Sequence, residues 1–599
     1  MGKGFAPKGR FWLLAVAFLA AYAGIGYRLV ELHVLRRPEL LAEIKERRER
    51  FVTLEARRGD ILDARGGLLA TSQTFLEVGV DPALVQADDL AKLPDLARLL
   101  GEPLADVKKA FGIEGSGLFG LSRQKGVRWR LLKRRVKEEV YAEIQKLDMR
   151  CVYGNRDYSR VYPKDSMASH VVGYMRNDGK AVMGVERAFD YYLSGQMGWR
   201  ESEARGAEEM AQFRRRQVPP ADGMSVVLSI DPYAQHTAEE ALAAIERERR
   251  PDWAAVIVSD PYTGFIAAMA CLPGFDQNRY WEYAIENQLN RAVASVIEPG
   301  STFKIVAVGG ALEQGLARPD TLIDCSLEFA PTRSGRLAPL PDDGRERGEL
   351  TLAEVMALSS NRGVAQLGLQ LGKERFYKYA RRFGFGERTG FSIGPEEPGL
   401  LAPPRRWDGL TITRMPIGYA VGVTPLQLHM AMSAVANEGI LMRPQVVERL
   451  LDAEGDTAVS FGPVSRRRAL SGEAAQVLTQ LLERVASADG TAGAARIPGY
   501  RVAGKTGTAR KLVDGRYDSS RHVASFSGFL PADAPQLAIT IVVDSPEAGA
   551  GSAYGGTVAA PVFRDVAAKL IPYYGIAPAS EGESSIVSNL PPARRADDR

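Results

Sequence analysis

Ser301-Thr302-Phe303-Lys304 puts a hydroxyl and an amine three residues apart, behind Pro299-Gly300 and ahead of an apolar helical pattern of Ile305, Val306, Val308 and Leu312. Three residues is nearly one helical turn, so Lys304 falls on the same face as Ser301. A neutral lysine amine there can take the serine proton and turn the hydroxyl into a nucleophile. Neutrality requires moving the amine from its reference pKa of about 10.4 to about 7–8, at about 4 kcal/mol. Burial and a second cation nearby are able to supply that. A helix N-terminus also brings backbone N–H groups to a developing oxyanion. The spacing arises easily by chance: Ser122 to Lys125 repeats it without the flanks or partners and reads as surface, and Ser301 by itself could be a helix cap.

Two later segments narrow the choice. Ser359-Ser360-Asn361 follows the helical stretch Leu352 to Leu358, and Lys505-Thr506-Gly507-Thr508 lies in a strand pattern. The first could simply cap the next helix, and the second could be an ordinary strand end. In this order and these contexts the three together point to acyl transfer through a serine. No metal or other cofactor is expected, because the five histidines are scattered and form no His-Glu-x-x-His pair. Cys151, Cys271 and Cys325 are few and odd in number, so no disulfide framework is indicated.

The elements that must position these residues can be read around them. Val226 to Ile230 reads as a strand. Asp231-Pro232 starts a helix, Asp as N-cap and Pro at the first helical position, running to about Arg249. Ala254 to Ser259 and Phe265 to Ala270 are apolar runs split by Pro261-Tyr262-Thr263-Gly264, a hairpin signal. Tyr500 to Thr508, Val523 to Phe529 and Leu537 to Val543 read as strands, and Val562 to Leu570 as a closing helix. Strands at both ends with helices between them give an α+β domain around an antiparallel sheet. Upstream, residues 28–50 read as a helix, 51–80 as strands and turns punctuated by Arg58-Gly59-Asp60 and Gly66-Gly67, and 85–150 as mixed helical segments. The Gly- and Arg-rich stretch 194–223 closes that first domain.

A chain of 599 residues, 45% hydrophobic and 25% charged, is too long for one domain and able to bury a large core. Its net charge of +4 carries no long basic block, so no nucleic-acid partner is expected. Lys3, Lys8 and Arg10 precede an uncharged apolar run from Phe11 to Tyr27, about 25 Å long as a helix. Basic residues before such a run stay in the cytoplasm, which puts the rest of the chain outside. Ala21-Tyr22-Ala23 resembles a signal-peptidase site, but the apolar run continues past it, which favours an uncleaved anchor.

The three motifs form the set found in serine β-lactamases and penicillin-binding proteins. The chain resembles the class B penicillin-binding proteins over nearly its whole exported length, most of all the cell-division type, penicillin-binding protein 3. Further residues carry the likeness: Asn290-Arg291-Ala292, Glu298-Pro299-Gly300, the run Gly418 to Leu428, and Tyr554-Gly555-Gly556. Arg58-Gly59-Asp60-Ile61, Arg160-Val161-Tyr162-Pro163 and Gly184-Val185-Glu186 resemble that family's pedestal motifs and are expected to be architectural.

The resemblance implies a cytoplasmic lead (1–10), a transmembrane anchor (11–30), an elongated pedestal or dimerisation-type domain (31–224), a β-lactamase-like transpeptidase domain with helices on both sides of its sheet (225–575), and a disordered tail (576–599). It implies that Ser301 attacks the D-alanyl-D-alanine bond of a stem peptide, with Lys304 as general base. Ser359 relays a proton to the leaving amine, Asn361 holds a substrate amide, and Lys505 supplies positive potential. Thr506 and Thr508 bind the terminal carboxylate, Gly507 admits the substrate backbone, and the N–H groups of Ser301 and Thr508 form the oxyanion hole. Implied partners are the lipid-linked peptidoglycan precursor, nascent stem peptides, β-lactams, the membrane, a polytopic glycan polymerase and other division proteins. The rivals are an elongation-type enzyme, a D,D-carboxypeptidase, a serine β-lactamase and a β-lactam sensor. A β-lactamase of the common class would need a dedicated Glu-activated water, to which no Glu of this sequence can be assigned, and a sensor would be expected to carry several transmembrane helices.

Overall fold

The computed structural model describes residues 8–40, 49–82, 84–113, 130–205, 208–209, 216–332, 335–341, 347–513, 515–547 and 553–578. The Ser122 to Lys125 repeat, most of the cytoplasmic lead and residues 579–599 of the tail lie outside these. Helix α1 (Lys8–Val30) carries the apolar run. Among the described residues one helix, Gly9–Leu35, is long and apolar enough to cross a bilayer. The expectation of a helix through 28–50 is met by helical turns as far as residue 40, falls outside the described residues at 41–48, and is corrected at 49–50, which are strand. The α-helix stops at Val30, a π-turn occupies Glu31–Leu35, and Glu49–Leu54 is a strand paired antiparallel with Gly198–Arg205. Phe51, Val52 and Thr53 favour a pleated surface, in line with the strands expected from residue 51.

The chain forms two compact units. One comprises residues 1–57, 74–159 and 194–223; the other comprises 58–73, 160–193 and 224–599. In the first, the end of strand Leu68–Val80 pairs with Arg130–Lys137, and helices Asp89–Leu100 and Leu104–Ala110 pack Leu93, Leu96, Val107 and Phe111 into one core.

In the second unit, Ser225–Leu228 pairs in parallel with Ile61–Leu62. Helix α2 (Pro232–Arg249) follows, with Asp231 accepting from the N–H groups of Tyr233 and Ala234 as its cap. Then come β1 (Trp253–Ser259), β2 (Ile266–Leu272), α3 (Lys304–Glu313), α4 (Leu352–Ala357), α5 (Asn361–Leu371), α6 (Pro425–Ala436), β3 (Ala503–Val513), β4 (Arg516–Leu530), β5 (Leu537–Asp544) and α7 (Gly555–Tyr574). The five strands form one antiparallel sheet in the order β2-β1-β5-β4-β3. The sheet is packed on both faces. Phe526 meets Phe563 of α7 edge-on at 4.8 Å, while the opposite-facing Thr540 bonds His429 of α6 at 3.0 Å. β3 is an edge strand, so one side of its backbone is left for another partner.

The closing helix is longer than its sequence pattern. Pro561 sits inside α7, which starts six residues before it.

Three segments with no evident chemistry meet in this unit. Glu186 is fully buried between two arginines: Arg58 Nε donates to its Oε2 at 2.8 Å and Arg160 Nε to its Oε1 at 2.7 Å. Tyr162 adds its hydroxyl to Oε1 at 3.2 Å, Arg58 also reaches Asp190, and Arg160 donates to the carbonyl of Gly59. The buried carboxylate is thus paired and hydrogen-bonded, the condition for tolerating a charge in a core.

Candidate active site

Ser301 stands on a 3-10 turn, Gly300–Phe303, that runs straight into α3, whose residues Lys304 to Ala311 are all buried. Three glycines fix this turn against its neighbours. Gly300 has φ +56°, and a Cβ there would lie 2.8 Å from the carbonyl oxygen of Thr508. Its N–H donates to the carbonyl of Gly418, itself at φ +86°. A Cβ on Gly507 would come within 2.7 Å of the Pro299 carbonyl and closer still to Ser525. Only Gly fits such approaches. They bring the strand bearing Thr508 against the turn bearing Ser301, with both residues partly open to solvent.

One turn along, the Lys304 amine is buried at a hub. It donates to the Ser359 carbonyl at 2.6 Å, to Ser359 Oγ at 3.1 Å and to Asn361 Oδ1 at 2.8 Å. Ser359 has φ +57°, in the left-handed region. Such a conformation is costly for a non-glycine residue and persists only where its surroundings enforce it. Here it turns both the carbonyl and the hydroxyl of one residue onto one amine. The capping alternative also holds: Ser360 caps α5 through the N–H of Gly363 at 3.2 Å, and that cap sets Asn361 on the first turn. The Lys505 amine reaches the same Ser359 Oγ from β3, at 3.0 Å. With both lone pairs engaged by amines, the Ser359 hydroxyl proton remains available for a third group.

Both lysines are fully buried. Desolvation pulls the Lys505 amine down to about 7, so near neutrality it carries its charge only about half the time. The positive potential anticipated for this position therefore depends on pH. Its sign in stability is fixed by linkage. Between about 7 and the unperturbed lysine value, the unfolded chain binds a proton here that the folded chain does not, so stability rises with pH across that window and is lost as pH falls through about 7. Thermal melts from pH 7 to 10 will show the wild type gaining on Lys505→Met as pH rises; a constant difference between the two would refute the buried, lowered amine.

The remaining residues lie where the sequence put them, together. Thr506 Oγ1 is 3.1 Å from Thr491 Oγ1, and Thr508 Oγ1 accepts from the N–H of Gly555 at 3.0 Å. All eight anticipated residues, Ser301, Lys304, Ser359, Asn361, Lys505, Thr506, Gly507 and Thr508, thus fall on three contacting segments. Sequence reasoning missed Thr491, which carries no motif. It also gave no role to Gly555, quoted only as part of a likeness, whose N–H orients Thr508.

Glu298, three residues before the nucleophile, was likewise left without a role. Its Oε1 accepts from the N–H of Ala420 at 3.0 Å and from the Tyr517 hydroxyl at 3.1 Å.

Residues 254–568 match the model of the penicillin-binding protein transpeptidase domain, and residues 53–228 that of the penicillin-binding protein dimerisation domain. Stage V sporulation protein D of Bacillus subtilis is 32% identical over 94% of this chain and 85% of its own length. The peptidoglycan D,D-transpeptidase FtsI of Escherichia coli (strain K12) is 30% identical over 92% of this chain and 90% of its own. Among solved structures, penicillin binding protein 3 from Mycobacterium tuberculosis, complexed with aztreonam, is 26% identical with a TM-score of 0.66, covering 88% of this chain and 98% of that one.

Proposed function

The chain belongs to the penicillin-binding proteins that join a dimerisation domain to a transpeptidase domain, and we propose from that premise that it cross-links peptidoglycan as a serine D,D-transpeptidase of the division type. The observation that carries the reading is the meeting of two buried lysine amines on one serine hydroxyl, one helical turn from Ser301.

In this reading Lys304, in its neutral form, takes the Ser301 proton as Oγ attacks the penultimate D-alanine carbonyl of a stem peptide. Negative charge on the carbonyl oxygen is met by the N–H groups of Ser301 and Thr508, which the Gly300 contact draws together. The proton returns to the leaving D-alanine through Ser359, whose hydroxyl faces both amines. The edge of β3 takes the donor peptide as an added strand, with Gly507 giving its backbone room. Thr506 and Thr508, held by Thr491 and Gly555, receive the terminal carboxylate. Asn361 orients a donor amide. An amine from a second stem peptide then attacks the acyl-enzyme; the C–N bond forms, the C–Oγ bond breaks, and Ser301 recovers its proton.

The apolar N-terminal helix and the basic residues before it support chemistry outside the cytoplasmic membrane, beside lipid-linked precursor, and the dimerisation-type unit and anchor suit a polytopic glycan polymerase as partner. Septal synthesis is the role that FtsI suggests. A β-lactam mimics the donor and should be trapped on the same hydroxyl. Mass spectrometry after penicillin treatment will place one adduct on the peptide containing Ser301, persisting for many minutes. An adduct elsewhere, or one hydrolysed within seconds, would remove the transpeptidase reading.

A further inference from the structure

A cavity of about 760 Å³ opens beside the nucleophile turn, walled by Glu298, Val296, Leu400, Ala420, Gly422 and Arg510. Two of these residues tie it to the chemistry. Glu298 is separated from Ser301 only by Pro299-Gly300, and Arg510 follows Thr508 by two positions on β3. The cavity is therefore lined by the residues just before the nucleophile turn and by those just after Thr508 on β3.

Glu298 is only half used by the fold. Its Oε1 holds the N–H of Ala420, a residue at φ +57°, and the hydroxyl of Tyr517, which packs edge-on against Tyr419 at 5.6 Å. Its Oε2 is buried and has no hydrogen-bond partner among the described residues. A structural role would be complete with Oε1, and a glutamine would serve it. An unpaired buried carboxylate oxygen is costly, and a donor that arrives with the substrate removes that cost.

We propose that this cavity is the acceptor subsite, in which the free oxygen of Glu298 pairs with the ammonium of the stem peptide that resolves the acyl-enzyme. This rests on the transpeptidase reading and adds to it the group that receives the second substrate. The acceptor arrives as R–NH₃⁺ and has no lone pair until it loses a proton. It gives that proton to the Glu298 carboxylate, attacks the acyl carbon as R–NH₂, and passes a second proton to the departing Ser301 oxygen. The products are the amide, the Ser301 hydroxyl and a protonated Glu298, which then releases its proton to water. Burial raises the Glu298 pKa, which makes it a better proton acceptor than an exposed carboxylate. Arg510 is exposed on the same wall and makes no ion pair among the described residues, so the site favours an amine whose own carbon carries a carboxylate, an α-amino-acid centre.

The test uses full-length protein with an N-acyl-D-alanyl thioester as donor and either D-alanine or propylamine as acceptor, with amide and hydrolysed acid counted by mass spectrometry. Wild type should form more amide from D-alanine than from propylamine. Glu298→Gln, which preserves the Oε1 contacts, should lower the amide-to-acid ratio at least tenfold and raise the acceptor KM, while acylation by a fluorescent penicillin slows less than threefold. Glu298→Asp should recover part of the ratio. An unchanged ratio in Glu298→Gln overturns the proposal, and so does a fall in acylation as large as the fall in the ratio, because Glu298 would then serve the donor or the fold. Wild type that is acylated yet yields only acid with every amine would instead overturn the transpeptidase reading itself.

Discussion

Lys304→Met will give a folded protein that fluorescent penicillin acylates at least about 10³-fold more slowly than wild type, within the range for losing a general base. Methionine fills nearly the same buried volume but removes the amine and its bonds to the Ser359 carbonyl, Ser359 Oγ and Asn361. Some stability goes with them, since each acceptor left dry costs about 1–3 kcal/mol. Circular dichroism melts will separate that loss from the loss of rate. Lys304→Arg is the sharper companion. It retains donors for the same acceptors but cannot deprotonate at any working pH, so it should be as slow as the methionine variant. An arginine enzyme with more than a tenth of wild-type acylation would show that charge and hydrogen bonding, not proton abstraction, are what this position supplies.

Glu186→Ala is expected to cost the second unit about 3–5 kcal/mol, the penalty for leaving buried charges unpaired. Removing that carboxylate takes from Arg160 its ion pair among the described residues and leaves Arg58 with Asp190, the two side chains being 6% and 9% exposed. Urea denaturation followed by penicillin labelling of Ser301 will report the loss as an earlier midpoint for the unit that carries the nucleophile. The exposed pair Lys146–Glu143, 70% and 53% exposed, provides the contrast: breaking it should move stability by under about 1 kcal/mol. If the two substitutions have equal effects, the buried cluster is not holding the fold.

Local chemistry made much of this protein legible. Asp231-Pro232 announced both the start and the cap of α2, and the Pro261 to Gly264 turn announced the β1–β2 hairpin. The three candidate segments could be found because their residue types and order together are those of the serine β-lactamases and penicillin-binding proteins. What stayed hidden was set by contacts between distant segments. Nothing near Ser359 in the chain indicates a left-handed backbone, which is imposed where α4 turns into α5 beside Lys304. Thr491 and Glu298 acquire meaning only when folding brings Thr506 and Ala420 to them. The start of α7 was placed too late, at Val562, just after a proline that the helix carries within it. The strand at Glu49–Leu54 was legible from Phe51, since Phe51, Val52 and Thr53 favour extension; only Glu49 and Arg50, at the end of a charged stretch, were read as helix.

The composition of the second unit bears on how such proteins can be recombined. Residues 58–73 and 160–193 fold with the unit that carries Ser301, Ile61 pairing beside Val226 and Glu186 joining Arg58 to Arg160. A gene crossover placed at residue 225 would therefore give the core strand Ser225–Leu228 a foreign partner in place of Ile61–Leu62. Hybrids between diverged relatives should survive only when those two inserts travel with the C-terminal body, so inherited breakpoints are expected to avoid separating them.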